Sequence, residues 1–337
     1  MSNRDDRVLK ASPANSGDRR ADGTSFAIPP AGSLFAPVRG PRGTRLALVF
    51  GNEAPSGRCP YYLTQCTHCD LGDGEGCRFT YDLNMARLAF FRDHYREIWP
   101  QIRHLIIYNS GSTLDPLEMS LDTLGGILDF AASLTECLRV SLDSREDFIT
   151  AERVQFVLDR LHPEQALCLT LGLESQCDHI RINNLAKTIT RDEVEAIFEI
   201  LSHRRARASV EINMVFQPPG ILGEEAVREA IATVEYGIAL RDRFQVGVDF
   251  NYHPYYPTWK GVSEFPNHPR ALLEDGIKAL IQIVRFLKTR PGDTRIFVGW
   301  NDEGHDLQAS SKQRELLIYA PGIQRFNHSQ DEKDLHI

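Results

Sequence analysis

The sequence predicts an α/β protein whose parallel strands form an open, partial βα barrel of six units. Three observations predict it. Short apolar runs and amphipathic stretches alternate six times from Arg45 onward, most of the apolar runs alternate residue by residue, and a helix-like segment long enough to serve as a crossover follows each run. At 337 residues, 42% of them hydrophobic and 25% charged, the chain can bury the core that such a sheet needs.

Taken in order, residues 1–43 are rich in Pro, Gly, Ser and Arg without apolar periodicity. They predict a mostly disordered leader, in which "FAIPP" and "SLFAP" could lie against the body. The predicted strands are "RLALVF" (45–50), "HLIIYNS" (104–110), "LRVSLDS" (138–144), "ALCLTLGLES" (166–175), "SVEINMVF" (209–216) and "FQVGVDFNYHP" (244–254). The segments that follow them are "LNMARLAFFRDHYREIW", "LDTLGGILDFAASL", "AERVQFVLDRLH", "RDEVEAIFEILSHRR", "EEAVREAIATVEYGIAL" and "ALLEDGIKALIQIVRFLK". A candidate seventh strand, "RIFVGW" (295–300), falls in a C-terminal extension, 291–337, expected to close the barrel formed by 44–290.

Alternation says which face is polar. In the fourth predicted strand Leu167, Leu169, Leu171 and Leu173 share one face and Thr170, Gly172 and Glu174 the other. The third opposes Val140 and Leu142 to Ser141, Asp143 and Arg145; the fifth opposes Val210, Ile212, Met214 and Phe216 to Glu211, Asn213 and Gln217; the sixth opposes Val246, Val248, Phe250 and Tyr252 to Asp249, Asn251 and His253. If the helices cover the aliphatic face, carboxylates, amides and a guanidinium point into the barrel. Buried charge must be paired or bound, so a polar interior predicts a cavity for a polar ligand.

Composition narrows the class. The N-terminus lacks the apolar core of a secretory signal, and no apolar run is long enough to cross a bilayer. Seven cysteines at irregular spacing do not form a disulfide framework, which predicts a reducing, cytoplasmic home. The formal charge is -8; the leader carries seven Arg or Lys against four Asp, net +3, leaving -11 on the body. Such a body argues against a nucleic-acid partner without excluding a local basic patch.

Three of the cysteines, Cys59, Cys66 and Cys69, fall within "CPYYLTQCTHC" in the loop after the first strand. By spacing alone they suit either an iron–sulfur cluster or a zinc site completed by Cys77 or His68. Their position favours the cluster, because the C-terminal ends of parallel strands carry the chemistry of α/β barrels.

This stretch resembles the radical S-adenosylmethionine enzymes, in which three Cys after the first strand hold a [4Fe–4S] cluster. The wide spacing is similar to the branch containing the Elongator catalytic subunit and the archaeosine-forming radical enzyme. "YNSGSTLDP" (108–116), "LDSREDFIT" (142–150), "LGLES" followed by "DHIR", and "FQPPGILGEEAVREAI" look like later segments of that branch, over about residues 45–260. Departures are Asp143 in place of a Glu, His68 in place of an aromatic, and the poorly matching "NYHPYYPTWKG". The resemblance implies Cys59, Cys66 and Cys69 as metal ligands. It also implies Asn109, Ser110, Gly111, Ser112, Asp143, Arg145, Glu174 and Arg181 as S-adenosylmethionine contacts, and an electron donor such as flavodoxin or ferredoxin as partner.

The remaining residues divide by place. Tyr252, His253 and Tyr255, at the end of the sixth strand, are the candidate catalytic residues on the substrate side, with Asn251 and Tyr256 beside them. Cys137 and Cys168 read as packed small hydrophobes, Cys77 as a spectator thiol, "GDGEG" (72–76) as a hinge and "NDEGHD" (301–306) as a polar closure of the site. The expected activity is cleavage of S-adenosylmethionine to a 5′-deoxyadenosyl radical that abstracts hydrogen from a polar small molecule (a sugar, nucleoside or amino-acid derivative) in biosynthesis. The alternatives are tRNA-base modification and a zinc-stabilised binding protein without catalysis.

Overall fold

The computed structural model describes residues 35–64, 66–69, 78–255, 258–299 and 310–336. One eight-stranded sheet runs through it in chain order: β1 (Val38–Gly40), β2 (Gly43–Val49), β3 (His104–Tyr108), β4 (Arg139–Asp143), β5 (Ala166–Glu174), β6 (Ala208–Phe216), β7 (Gly247–Pro254) and β8 (Ile296–Val298). β1 is antiparallel to β2, and every later pairing is parallel. The six predicted strands are β2 to β7, and the candidate seventh is β8. Nine helices are described: α1 (Pro60–Thr64), α2 (Tyr81–His94), α3 (Leu121–Ala132), α4 (Ala151–Arg160), α5 (Arg191–Ser202), α6 (Gly223–Phe244), α7 (Trp259–Glu264), α8 (Leu273–Lys288) and α9 (Ser310–Ser329). Among the described residues no helix is long and apolar enough to cross a membrane.

Two departures from expectation sit at the start of strands. The sixth predicted strand begins at Gly247, because α6 runs on to Phe244 and ends at Gln245 in the left-handed region (φ 57°). Residues 35–43, assigned above to the leader, are ordered: Val38–Gly40 pairs with β2, and Arg42 in the turn donates to Asp249 on β7.

Helix ends follow local chemistry. Thr80, Ser120, Thr150 and Thr190 accept first-turn N–H groups at the starts of α2, α3, α4 and α5, and Thr190 with Glu193 forms a full capping box. The aliphatic faces of the strands lie under these helices: Leu167, Leu169, Leu171, Leu173, Val210, Ile212, Val248 and Phe250 are all buried in one core.

The opposite faces turn inward, and contacts between distant strands show the sheet curling on itself. The Arg45 guanidinium on β2 meets Glu211 on β6 at 3.4 Å and lies 3.6 Å above the ring of Phe297 on β8. Arg139 on β4 reaches Asp249 on β7 at 2.9 Å. These pairs neutralise charge inside the end of the barrel where the strands begin. Burial and the nearby Arg45 and Arg139 push the His104 imidazole well below its usual range, so it sits there neutral, 2.6 Å from Ser141 Oγ.

At the gap between first and last strands, α9 packs on both β1 and β8. The side-chain amides of Asn327 and Gln330 each donate to and accept from the backbone of β8, at Val298 and Ile296.

Candidate functional site

The loops that follow the parallel strands gather at one mouth. Cys59 and Cys66 flank α1, in the loop after β2. Arg145, just past β4, stands beside Cys59 with Nη1 3.7 Å from Sγ. The same guanidinium donates to Glu118 and, at 2.6 Å, to Asp115, and it stacks over Tyr61 and Phe148. Burial, with the Glu118 carboxylate adding to it, pushes the Cys59 thiol up against the pull of Arg145. Burial likewise raises Cys66, opposed by Lys187 and assisted by Cys59 and Glu174. The two thiols therefore share one electrostatic environment, with Arg145 beside Cys59 and the charge of Lys187 acting on Cys66.

Glu174 closes β5 through an irregularity. The β5–β6 register shifts between Gly172 and Glu174, and Glu174 has φ 64°, so its carboxylate is re-aimed at the strand end. Its Oε1 accepts from Lys187 Nζ at 3.0 Å and lies 3.5 Å from His68 Nε2. Burial would raise this carboxyl, but Lys187 and His68 beside it hold it at about 2. Gly172 is what admits the amine: a Cβ there would stand 2.2 Å from Lys187 Nζ. Glu174 is thus an ionised acceptor at neutral pH.

The "NSGS" turn is built around Glu118, whose carboxylate accepts from Ser112 N at 3.0 Å and Asn52 Nδ2 at 2.9 Å. A Cβ on Gly111 would lie 1.7 Å from Glu118 Oε2, so only glycine fits. Asn109 donates to the carbonyls of Ser112 and Glu118, and Ser112 Oγ pairs with Ser144 Oγ at 2.7 Å. Ser110 takes φ 58°. The side chains of Asn109 and Ser112 therefore hold the turn, leaving Ser110 and Gly111 as the elements able to face a ligand. Asp143 ends β4 beside this turn, its backbone carbonyl accepting from Thr113 N.

Two predicted site residues have other work. Arg181 is fully buried, and its guanidinium donates to the carbonyls of Ile189, Ser175 and Gln176 and to Asp178. It braces the turn after β5 and has no face for a cofactor. Tyr252 shares the outward face of β7 with Val248 and Phe250, packs on Phe216, and donates its hydroxyl to Gly276 O of α8 at 2.8 Å. It belongs to the helical layer, not the cavity. His253 and Asn251 lie on the inward face, and Asn251 donates to Asn213 at 3.1 Å. Tyr255 is buried against His268 without a hydrogen-bond partner for its hydroxyl among the described residues, and burial pushes that hydroxyl up to about 12. Cys168 is buried as expected but also accepts from Arg139 at 2.8 Å. Cys77, Tyr256, "GDGEG" and "NDEGHD" lie outside the described residues. Among the described residues no three Cys, His, Asp or Glu side chains converge tightly enough to hold a single metal ion.

Sequence reasoning missed Lys187 and Glu118. Available signals were the glycine two residues before Glu174 and an acid two residues beyond "NSGSTLDP", each adjoining a predicted contact.

No protein-family model matches the chain, and no curated protein matches it. Among solved structures it is similar to Streptococcus suis SuiB, with 10% identity and a TM-score of 0.48 over 77% of this chain and 49% of that one. It is also similar to the cobalamin-dependent S-adenosylmethionine radical enzyme OxsB, solved with aqua-cobalamin and S-adenosylmethionine bound, with 10% identity and a TM-score of 0.40 over 86% and 48%. The chain spans about half the length of each.

Proposed function

We propose that this chain is a radical S-adenosylmethionine enzyme acting on a polar small molecule. The observation that carries the reading is one mouth where Arg145 stands beside Cys59, and where Lys187 holds an ionised Glu174 near Cys66 and a buried Gly-containing turn. The donor set fits the group. Buried thiols resist ionising unless a metal takes the proton's place, and Arg145 and Lys187 offset the charge of the resulting thiolates. A cluster offers separate irons to separate thiolates, so its ligands need not meet at one point as those of tetrahedral zinc must.

In this reading Cys59, Cys66 and Cys69 would hold a [4Fe–4S] cluster, which when bound supplies the electron that cleaves S-adenosylmethionine to a 5′-deoxyadenosyl radical. Glu174 would accept from the ribose hydroxyls, and Ser110, Gly111, Asp143 and Arg145 would bind the methionyl end. His253 and Tyr255 would lie toward the substrate, where they would orient it and exclude water. The electron would come from a flavodoxin- or ferredoxin-like donor, in the cytoplasm.

The charge pattern supports a small molecule over tRNA. The tight basic group Arg204, Arg205 and Arg207 precedes β6, and Arg207 donates to the carbonyls of Gln165 and His162, at the end of the barrel away from the mouth. An RNA reaching the cysteines would not pass it.

Anaerobic reconstitution with iron and sulfide tests the reading. About four iron per chain and a brown colour are expected, with most iron lost in Cys59→Ala, Cys66→Ala or Cys69→Ala. The loaded protein should then release 5′-deoxyadenosine from S-adenosylmethionine. Colourless protein retaining zinc would replace the enzyme by a zinc-stabilised binding protein. Tight, salt-sensitive tRNA binding that survives removal of residues 1–34, which leaves β1 and Arg42 in place, would replace the small molecule by a tRNA base, as in the archaeosine branch.

A further inference from the structure

Thr67, between Cys66 and His68, is fully buried, and each of its polar groups is engaged by a loop distant in sequence. Its N–H donates to Leu185 O at 3.2 Å and its Oγ1 donates to Asn184 O at 2.8 Å, both in the segment after β5. Its carbonyl accepts from Thr258 Oγ1, 191 residues away at the start of α7. Asn184 in turn donates to Pro219 O, at 2.6 Å, in the loop after β6. The loops after β5 and β7 therefore meet on the residue between two predicted ligands, and the loop after β6 joins them through Asn184.

The β7 side of this junction is tightly fitted. Thr258 is buried, and the same hydroxyl accepts from Gly261 N at 3.0 Å, which fixes its rotamer at the head of α7. A Cβ on Gly261 would lie 2.4 Å from Tyr255 Oη and 3.1 Å from Thr67 O, so α7 can approach only with glycine there. Lys260 Nζ sits 4.3 Å above the ring of Tyr62 in α1. Among the described residues no other donor reaches Thr67 O, so losing the Thr258 hydroxyl strands a buried carbonyl.

We propose that Thr258 is a positioning residue that sets the Cys66–Cys69 segment from across the mouth, tying the loop after β7 to the metal loop; this rests on the reading of those thiols as ligands. Each of these hydrogen bonds joins two atoms of the chain and none runs through a metal, so the proposal extends to the metal-free chain. A displacement of the loop after β7, which adjoins His253 and Tyr255, is then transmitted to Cys66.

The metal-free full chain provides the test. Alkylation of each thiol by iodoacetamide is followed by mass spectrometry, with Cys137, buried in the core, reporting global opening. In Thr258→Val, Cys66 should react roughly tenfold faster while Cys137 is unchanged, since one buried hydrogen bond guards local opening. Thr258→Ser should restore the parent rate to within about twofold. Gly261→Ala, which forces α7 off Thr67, should reproduce the Val variant. Parental Cys66 rates in both Thr258→Val and Gly261→Ala, or a parallel rise at Cys137, would overturn the proposal. After reconstitution, the rate of iron loss to a chelator should rise in the same variants. A parent that takes up no iron refutes the enzyme reading and leaves the alkylation result to judge the clamp.

Discussion

Replacing Asp249 by Asn removes one charge from the end of the barrel away from the mouth and little else. The carboxylate is 3% exposed and accepts four hydrogen bonds. Oδ1 takes Arg42 Nη2 at 2.8 Å and Arg295 N at 3.0 Å; Oδ2 takes Arg42 Nε at 3.0 Å and Arg139 Nη1 at 2.9 Å. The amide of Asn would turn donors toward one guanidinium and leave Arg42 and Arg139 without a counter-charge between them. Unpairing a buried ion pair costs about 3–5 kcal/mol. Arg42 keeps partial access to water and to Asp293, which places the expectation near the lower bound, about 3 kcal/mol. That is a large share of the ~5–15 kcal/mol available to a typical folded protein. Urea denaturation followed by circular dichroism should show the midpoint falling with the slope unchanged. Acid gives a second readout. Burial would raise the Asp249 carboxyl, but Arg139 and Arg42 hold it below its ordinary 3.8. A depressed folded-state value contributes stability that is complete above 3.8 and disappears as pH falls through the lower, folded value. The gap between parent and variant should therefore be full at pH 7 and narrow below pH 3.8. A gap under about 1 kcal/mol at pH 7, or one that does not narrow in acid, would refute the role assigned to this clasp.

Glu174→Gln should weaken S-adenosylmethionine binding to the reconstituted protein by about 1.5–3 kcal/mol, the worth of a charge-assisted hydrogen bond, as read by calorimetric titration. Unchanged affinity with an intact cluster would remove Glu174 from the cofactor site. Tyr252→Phe should lower stability by about 1 kcal/mol through the lost bond to Gly276 O and leave cofactor cleavage at the parental rate. A slowed cleavage would return Tyr252 to the cavity. Gly111→Ala drives a methyl into Glu118 and should lower thermal stability, by about 1–3 kcal/mol, while freeing Arg145 from its carboxylate. A neutral result would mean the turn is looser than its packing indicates.

Much of this architecture is legible in residue parity. The alternation along 166–174, 209–216 and 247–253 correctly separates the leucines and valines under the helices from Thr170, Glu211, Asn213, Asp249 and Asn251 inside. Tyr252 illustrates a conflict between signals: its aromatic neighbourhood suggested the site, whereas its parity with Val248 and Phe250 pointed outward, and parity prevailed. Arg181 was placed among the cofactor contacts because nothing in "DHIR" announces that three carbonyls will converge on it. The hairpin before Arg45 was hidden for a related reason. Its Pro and Gly content is that of a leader, and what orders Arg42 is an acid 207 residues away. Lys187 was missed because its partnership with Glu174 depends on a bulge and a glycine that only the folded backbone brings together.

A parallel sheet that ends in open strands offers its edge as a template for another copy. Here Asn327 and Gln330 give β8 the alternating donors and acceptors that a ninth strand would have supplied, from a helix that cannot itself extend the sheet. The last helix thus acts against self-association as well as for stability. A chain shortened to end before Ser310 would expose Ile296–Val298, and light scattering should then register assemblies growing with protein concentration beyond any that the full chain forms.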